Sequence, residues 1–375
     1  MQRKFLPILI LIIATGCQQN TGEVQLDQTI VKLQEYNVFV SNEDYEMGVP
    51  SILRADHSGK LWIYDSSSGL VYQIDTSAKT STATGRAGRG PGEYVRVQNF
   101  FVNDRHLFIT DNSQQLIHKY HHDDGYISSF NYRPGQTPRV PPPAPLPPLD
   151  LAYIDIGPTA NFNNQPHVTT DGDVLIYDIA DQQTLYTMFS WQGDSLGTIG
   201  NIPDNRSFDA DYERFRSEIY NRQTPSLFIP DTFVVNDRSG SDEFFLIHSS
   251  IPLITKYSTD GIKLWEKRIS DIAEIEYITE RYFESMDAIL NITDTMFPLR
   301  KYTTGVSTDD GGLFLAVYTY PGLPLWIHHF DNEGELLARY EIESATHLYP
   351  VFDIDHENNA FLIPDEDGDI RSYTF

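Results

Sequence analysis

The sequence predicts an all-β protein, a six-bladed β-propeller closed by an N-terminal strand, with helical and proline-rich insertions on one face. Three observations predict it. Short β-prone stretches recur between tight turns of Asp, Asn and Gly from residue 51 to the end of the chain. Aromatic residues make up 13% of the chain, with 22 Tyr and 21 Phe, a bias that suits a pleated, half-buried surface. Equivalent landmarks in the second strand of each unit, Trp62, Phe108, Leu175, Phe245, Phe314 and Phe361, are separated by 46, 67, 70, 69 and 47 residues. A blade takes roughly 40 to 50 residues, so the longer intervals contain insertions. Such units cannot bury their own faces and are stable only when stacked around a ring.

The copies justify this in order. The first reads Ser51 to Ala55, turn Asp56-His57-Ser58-Gly59, strand Lys60 to Asp65, turn Ser66-Ser67-Ser68-Gly69, strand Leu70 to Ile74. The second runs through Val97–Val102, His106–Asp111, Gln115–Tyr120 and Tyr126–Phe130. The third has His167-Val168-Thr169, turn Thr170-Asp171-Gly172, Asp173–Tyr177, Thr184–Trp191 and Ser195–Ile199. The fourth has Phe233-Val234-Val235, turn Ser239-Gly240-Ser241-Asp242, Glu243–His248, Leu253–Ser258 and Ile262–Lys267. The fifth has Gly305-Val306-Ser307, turn Asp309-Asp310-Gly311-Gly312, Leu313–Tyr318, Leu325–Asp331 and Glu335–Tyr340. The sixth has Val351–Ile354, Ala360–Ile363 and Asp369–Phe375. Asp and Asn bond to their own backbone and Gly accepts positive φ, which is why these turns reverse the chain. The last copy supplies only three strands, and the stretch Gln28 to Val40 is expected to provide the fourth. That closure hides edges that would otherwise invite aggregation.

Residues 76–96, 131–164, 198–232 and 268–304 fall between one blade's outer strand and the next blade's inner strand, so they decorate one rim. Binding functions commonly sit in loops held by a rigid scaffold. Spacings of three and four predict helix over Asp209–Arg222, through Tyr212, Phe215 and Ile219, and over Asp271–Leu290, through Ile275, Ile278, Tyr282, Phe283, Met286 and Leu290. Each is expected to cap the propeller face. Arg133–Leu149 contains eight prolines and reads as polyproline II or an irregular arm crossing the rim, with recognition of aromatic grooves as the functional alternative.

The N-terminus carries a different message. Met1-Gln2-Arg3-Lys4 precedes an apolar run from Phe5 to Ile13 and then Ala14-Thr15-Gly16-Cys17, the layout of a secretory signal. The run is too short to span a bilayer as a helix, which takes about 20 apolar residues. The small residues before Cys17 resemble the lipobox of bacterial lipoproteins, although Ala14 stands where Leu is usual. The resemblance implies cleavage before Cys17, diacylglycerol on its thiol, and anchoring to membrane lipid. Gln18-Gln19 in place of an acidic retention signal implies the outer membrane. Cys17 is the single cysteine of the chain, so it has no partner for an internal disulfide. The chain divides accordingly into a signal peptide (1–16), a polar tether (17–27) and one propeller domain (28–375).

The chain carries 53 acidic and 27 basic residues, a formal charge of −26 that becomes −28 when Arg3 and Lys4 leave with the signal. Such a surface repels phosphate backbones and excludes nucleic acid as a partner.

The run Gly85-Arg86-Ala87-Gly88-Arg89-Gly90-Pro91-Gly92-Glu93-Tyr94 resembles a motif of the six-bladed β-propeller lipoproteins of Bacteroidetes and related phyla, which are distantly similar to NHL-repeat propellers. The resemblance extends from about residue 28 to 375 and implies fold and export rather than an activity. The glycines specify a tight loop whose backbone passes close to its neighbours. Arg86 and Arg89 are expected to pair with Glu93 or an acidic rim, or to form, with the exposed amides, an anion or ligand loop.

Catalytic chemistry is sparsely signalled. Asp365-Glu366-Asp367-Gly368-Asp369 resembles half a calcium loop but reads better as a hairpin turn, because the chain ends before a glutamate at the twelfth position. His121-His122 and His328-His329 do not aim both rings at one ion. NHL-type lyases bind zinc through histidines around the channel, and His57, His106, His167, His248 and His356 occupy non-equivalent places in their blades. No Gly-x-Ser-x-Gly elbow is present. Tyr153, Phe162, Trp191, Tyr212 and Tyr320-Pro321-Gly322 could stack on sugars or peptides, or pack in the core. No catalytic residue, metal or cofactor is assigned. The function read from this is a non-catalytic binding or assembly module on the cell surface, with a surface protein, peptide or glycan as partner. The alternative is an extracellular lyase or hydrolase acting on polysaccharide or lactone, with a divalent metal in the channel.

Overall fold

The computed structural model describes residues 30–45, 47–48, 50–56, 59–132, 163–179, 183–203, 208, 210–269, 272–318, 320, 323–343 and 351–375. Six antiparallel sheets follow one another along the chain, each ordered from an inner to an outer strand. Their inner strands are Pro50–Ala55, Val97–Val102, His167–Val168, Thr232–Asn236, Tyr302–Ser307 and Asp353–Asp355. This is the six-bladed propeller expected from the repeats. The landmark side chains of the second strands are all buried, from Leu175, Phe245 and Phe361 at 0% exposure to Trp62, Phe108 and Phe314 at 1%. They fill the spaces between neighbouring sheets: Phe314 of blade five meets Phe361 of blade six edge to face at 5.1 Å. Burial between sheets is what makes each blade depend on the next.

The ring closes at its N-terminal strand. Strand β2 (Asn37–Val40) pairs antiparallel with Ile370–Thr374 as the outer strand of blade six. The single helical turn α1 (Asn42–Tyr45) follows, and the amide of Asn42 donates to Asp369 Oδ1 at 2.7 Å, which pins the closure. The N-terminal stretch does more than supply one strand. Strand β1 (Ile30–Leu33) adds in parallel to the outer strand Leu336–Ile342 of blade five, making that sheet five-stranded. The two blades flanking the seam are thus held by one segment.

Two insertion boundaries need correction. Blade one has its own outer strand at Thr80–Thr84, inside the stretch 76–96 read as an insertion. Its sequence, Thr-Ser-Thr-Ala-Thr, is largely exposed and carries no apolar alternation to announce it. The outer strand of blade three runs through Ser195–Asn201, past the expected boundary at 198. Both expected helices form, as α2 (Tyr212–Tyr220) and α3 (Ala273–Leu290). Asp211 caps α2 by accepting from the amide of Arg214. The helices pack on each other through Phe215, Ile219, Tyr282, Phe283, Met286 and Ile289. Helix α3 is also tied to blade five: Glu274, 4% exposed, accepts from Arg339 at 3.1 and 3.2 Å and lies 3.7 Å from the buried ring of His328. Among the described residues no helix is long and apolar enough to cross a membrane. The signal, Cys17, the tether, His57, the proline-rich stretch, Tyr153 and Phe162 lie outside the described residues.

Candidate functional site

In an antiparallel blade the first-to-second-strand turns emerge at the end opposite the connections between blades. A cavity borders those turns. About 500 Å3 in volume, it sits at the mouth of the central channel, lined by the inner-strand ends and following turns of blades one to four and by residues 305–307 of blade five. It therefore opens on the face opposite the helical insertions, not among them.

Its walls are polar and cross-linked. Asp353, on the inner strand of blade six and fully buried, accepts both guanidinium nitrogens of Arg238 at 2.7 and 2.9 Å, and also the amides of Ala55 and Ile354 at 3.0 and 2.7 Å. One carboxylate thus joins blades one, four and six. Burial raises the Asp353 carboxyl, but Arg238, Arg54 and the Ile354 amide outweigh it and hold the group below the usual carboxylate range. The amide of Arg238 donates to Ser307 Oγ at 2.8 Å, and Ser307 donates in turn to the carbonyl of Asn236 at 2.8 Å. Asn236 Oδ1 lies 2.8 Å from His167 Nε2, and its amide nitrogen donates to the carbonyl of Val168 at 2.9 Å.

Arg54 enters the same wall from blade one and donates to the carbonyl of Leu53 at 2.8 Å. Burial brings its guanidinium down to about 10, against the attraction of Asp353 and with the repulsion of Arg238, so it remains charged near neutral pH. The His167 ring, edge-on to Phe101 at 4.3 Å, is pushed by burial to about 4 despite its bond to Asn236, and is therefore neutral. His106 at the mouth is likewise lowered to about 4, by burial and then by Lys119. Lys119 projects over the rings of Phe108 and Trp191 at 5.4 and 5.5 Å.

The glycine-rich loop expected from the sequence stands elsewhere, between blades one and two. Its Glu93 accepts from Arg86 Nε at 2.6 Å and from the amide of Gly90 at 2.7 Å. Arg89 is exposed. Tyr94 accepts from the amide of Val71 and donates to the carbonyl of Thr84, while Tyr120 of blade two donates to the carbonyl of Gly92. Gly85 has φ +72°, and a Cβ there would stand 2.6 Å from the Tyr94 ring. The close backbone approach that the glycines implied is therefore a clasp between two blades.

Other expected candidates separate. Asp365 Oδ1 accepts from the amides of Asp367 and Asp369, and Oδ2 from Arg371, the geometry of a turn. His248 is buried with Nδ1 3.1 Å from the carbonyl of Ile229, and His329 stacks on Phe314. His356 lies 3.4 Å from Arg238. Trp191 donates to Ser128 and packs on Phe108 and Phe130, Tyr320 is buried, and Tyr212 opens α2. Among the described residues no three His, Cys, Asp or Glu side chains come together in a way that could hold a metal ion. The residues that sequence reasoning passed over are Arg54, Lys119, Asn236, Arg238 and Asp353. The available signal was a charge within an otherwise apolar inner strand, as in Ser51-Ile52-Leu53-Arg54-Ala55 and Val351-Phe352-Asp353-Ile354.

Fold and cavity together define the class: a six-bladed β-propeller with a polar chamber at one channel mouth. A family model described as a six-bladed beta-propeller matches residues 17–133, a stretch that includes the glycine-rich run and so supports the resemblance read from it. No curated protein matches the chain. Among solved structures, a Bacteroides fragilis protein described as exported is 14% identical, with 92% of this chain and 99% of that one covered and a TM-score of 0.49. A member of the DUF4221 family from Bacteroides vulgatus is 8% identical, covering 92% and 96%, with a TM-score of 0.49. Virginiamycin B lyase from Staphylococcus aureus is 11% identical, covering 91% and 100%, with a TM-score of 0.46.

Proposed function

We propose that the chain is an exported binding protein, anchored to the outer membrane through an acylated Cys17, whose propeller holds a small polar ligand at the channel mouth on the face away from its helical insertions. The observation that carries this reading is the chamber of about 500 Å3 walled by Arg54, Asn236, Arg238 and His167, a size typical of small-molecule sites. Its polar groups are fixed by hydrogen bonds between blades, which is how a rigid scaffold presents a recognition surface without reorganising. The lipid anchor rests on the Ala14-Thr15-Gly16-Cys17 sequence.

The test is a thermal-shift screen of glycans, peptides and small metabolites against the protein and an Asp171→Trp variant. Asp171 is an exposed turn residue on the cavity rim, so the indole blocks the mouth without entering the core. Ligands of this site stabilise the parent and not the variant. Equal stabilisation of both places binding elsewhere and contradicts the reading. Mass spectrometry of the N-terminal peptide from native membranes is expected to show cleavage before Cys17 and a diacylglyceryl thioether, and an unmodified thiol contradicts the anchor.

A further inference from the structure

The chain has an excess of 26 negative charges, yet the cavity borders four of its cations: Arg54, Arg105, Lys119 and Arg238. The carboxylates deeper in and around this wall are already engaged. Asp353 is held in the fork of Arg238 and by two amides. Asp56 accepts from the amide of Lys60 and from the Trp62 indole, and Asp237 pairs with the buried Lys256 at 2.7 Å. Lys119 differs. Its half-buried ammonium rests over two aromatic rings, and among the described residues no carboxylate is bonded to it. The remaining acids of the lining, Asp104 and Asp171, stand exposed on turn tips. The Lys119 ammonium therefore remains as a charge-assisted donor for a guest, while most carboxylate acceptors are spent inside the wall. Asn236 and Ser307 add neutral partners of the kind that bind hydroxyl groups.

We infer that the ligand of this cavity is an acidic sugar, its anion a carboxylate or a sulfate received by the Lys119 ammonium, with hydroxyl groups bonded along the inner strands. The inference rests on the channel-mouth reading and specifies its ligand class. An acceptor-rich anion completes this wall; a neutral sugar leaves the Lys119 donors to water. The overall negative field of the protein opposes any anion at long range, so selectivity comes from these short contacts.

The experiment is calorimetric titration with digalacturonate, its methyl ester, galactose 6-sulfate and galactose, using the parent, Lys119→Gln and Asp171→Trp. Digalacturonate or galactose 6-sulfate is expected to bind the parent about tenfold or more tightly than its neutral counterpart, and Lys119→Gln to lose about tenfold of that affinity. The acid with the larger preference over its own neutral counterpart identifies the anion. Equal affinity for acid and neutral forms, abolished by Asp171→Trp, overturns the acidic-sugar inference and leaves the site standing. Acid binding that Asp171→Trp does not weaken overturns both. No binding of either acid overturns the ligand class. A Lys119→Gln variant with the parent's melting temperature and affinity removes Lys119 from recognition and overturns the proposal as stated.

Discussion

Two buried histidines contribute to how this propeller responds to acid. Burial pushes His167 and His248 to about 4, in each case against a hydrogen bond, from Asn236 and from the carbonyl of Ile229. Above the ordinary imidazole pKa of about 6.5 both states of the protein keep these rings neutral. As pH falls from there toward 4, the unfolded chain takes protons that the folded one refuses, so stability drops. The full effect is on the order of 3 kcal/mol for each ring. Asp231 works the other way. Burial raises it to about 6 despite the Asn164 bond and the Arg300 charge, so the folded state binds its proton first and gains stability between pH 6 and 4. Melting temperature is therefore expected to fall between pH 7 and pH 4.5. The fall is shallower in His248→Gln and steeper in Asp231→Asn, and unchanged slopes in both variants contradict the assignment. Glu274, raised by burial but held at about 2 by His328, its own amide and Arg339, and Asp353, also depressed, lose their contribution only at lower pH, outside this window.

At the level of elements, the seam is the weak point of the ring. Strand β2 covers the edge of Ile370–Thr374, and β1 covers that of Leu336–Ile342. Removing residues 30–40 exposes both edges at once. We expect a lowering of the melting temperature by about 10 °C or more, with aggregation at micromolar concentration. A truncated protein that melts with the parent and stays monomeric shows that the seam is held by other contacts. The blades were legible in the sequence because their turns and landmark side chains obey local rules: Asp-Gly and Asn-x-Gly reversals, and an apolar residue in each second strand that must be buried between sheets. The helices were legible from their spacing. Thr80–Thr84 was not, because an exposed outer strand has no buried face to impose alternation. The division of the N-terminal stretch between two blades was hidden too, since parallel pairing of Ile30–Leu33 leaves no turn signal.

On the scale of the whole molecule, closure brings together residues that lie about three hundred positions apart. Ala55 and Asp353 meet across the seam, and Arg238 reaches them from across the channel. A charge inside an apolar inner strand marks Arg54 and Asp353 one at a time, but nothing local joins them into a set, so the glycine-rich loop is legible as a contiguous motif while the cavity emerges only from the ring. The loop serves as a clasp between blades one and two, and the helical insertions decorate the face away from the chamber. The measurement that tests this arrangement most directly is amide hydrogen exchange of the protein with and without saturating digalacturonate. Slower exchange confined to the turns at 103–106, 170–173 and 237–240 is the predicted result. Slower exchange in Tyr212–Tyr220 and Ala273–Leu290, with those turns unchanged, would contradict it.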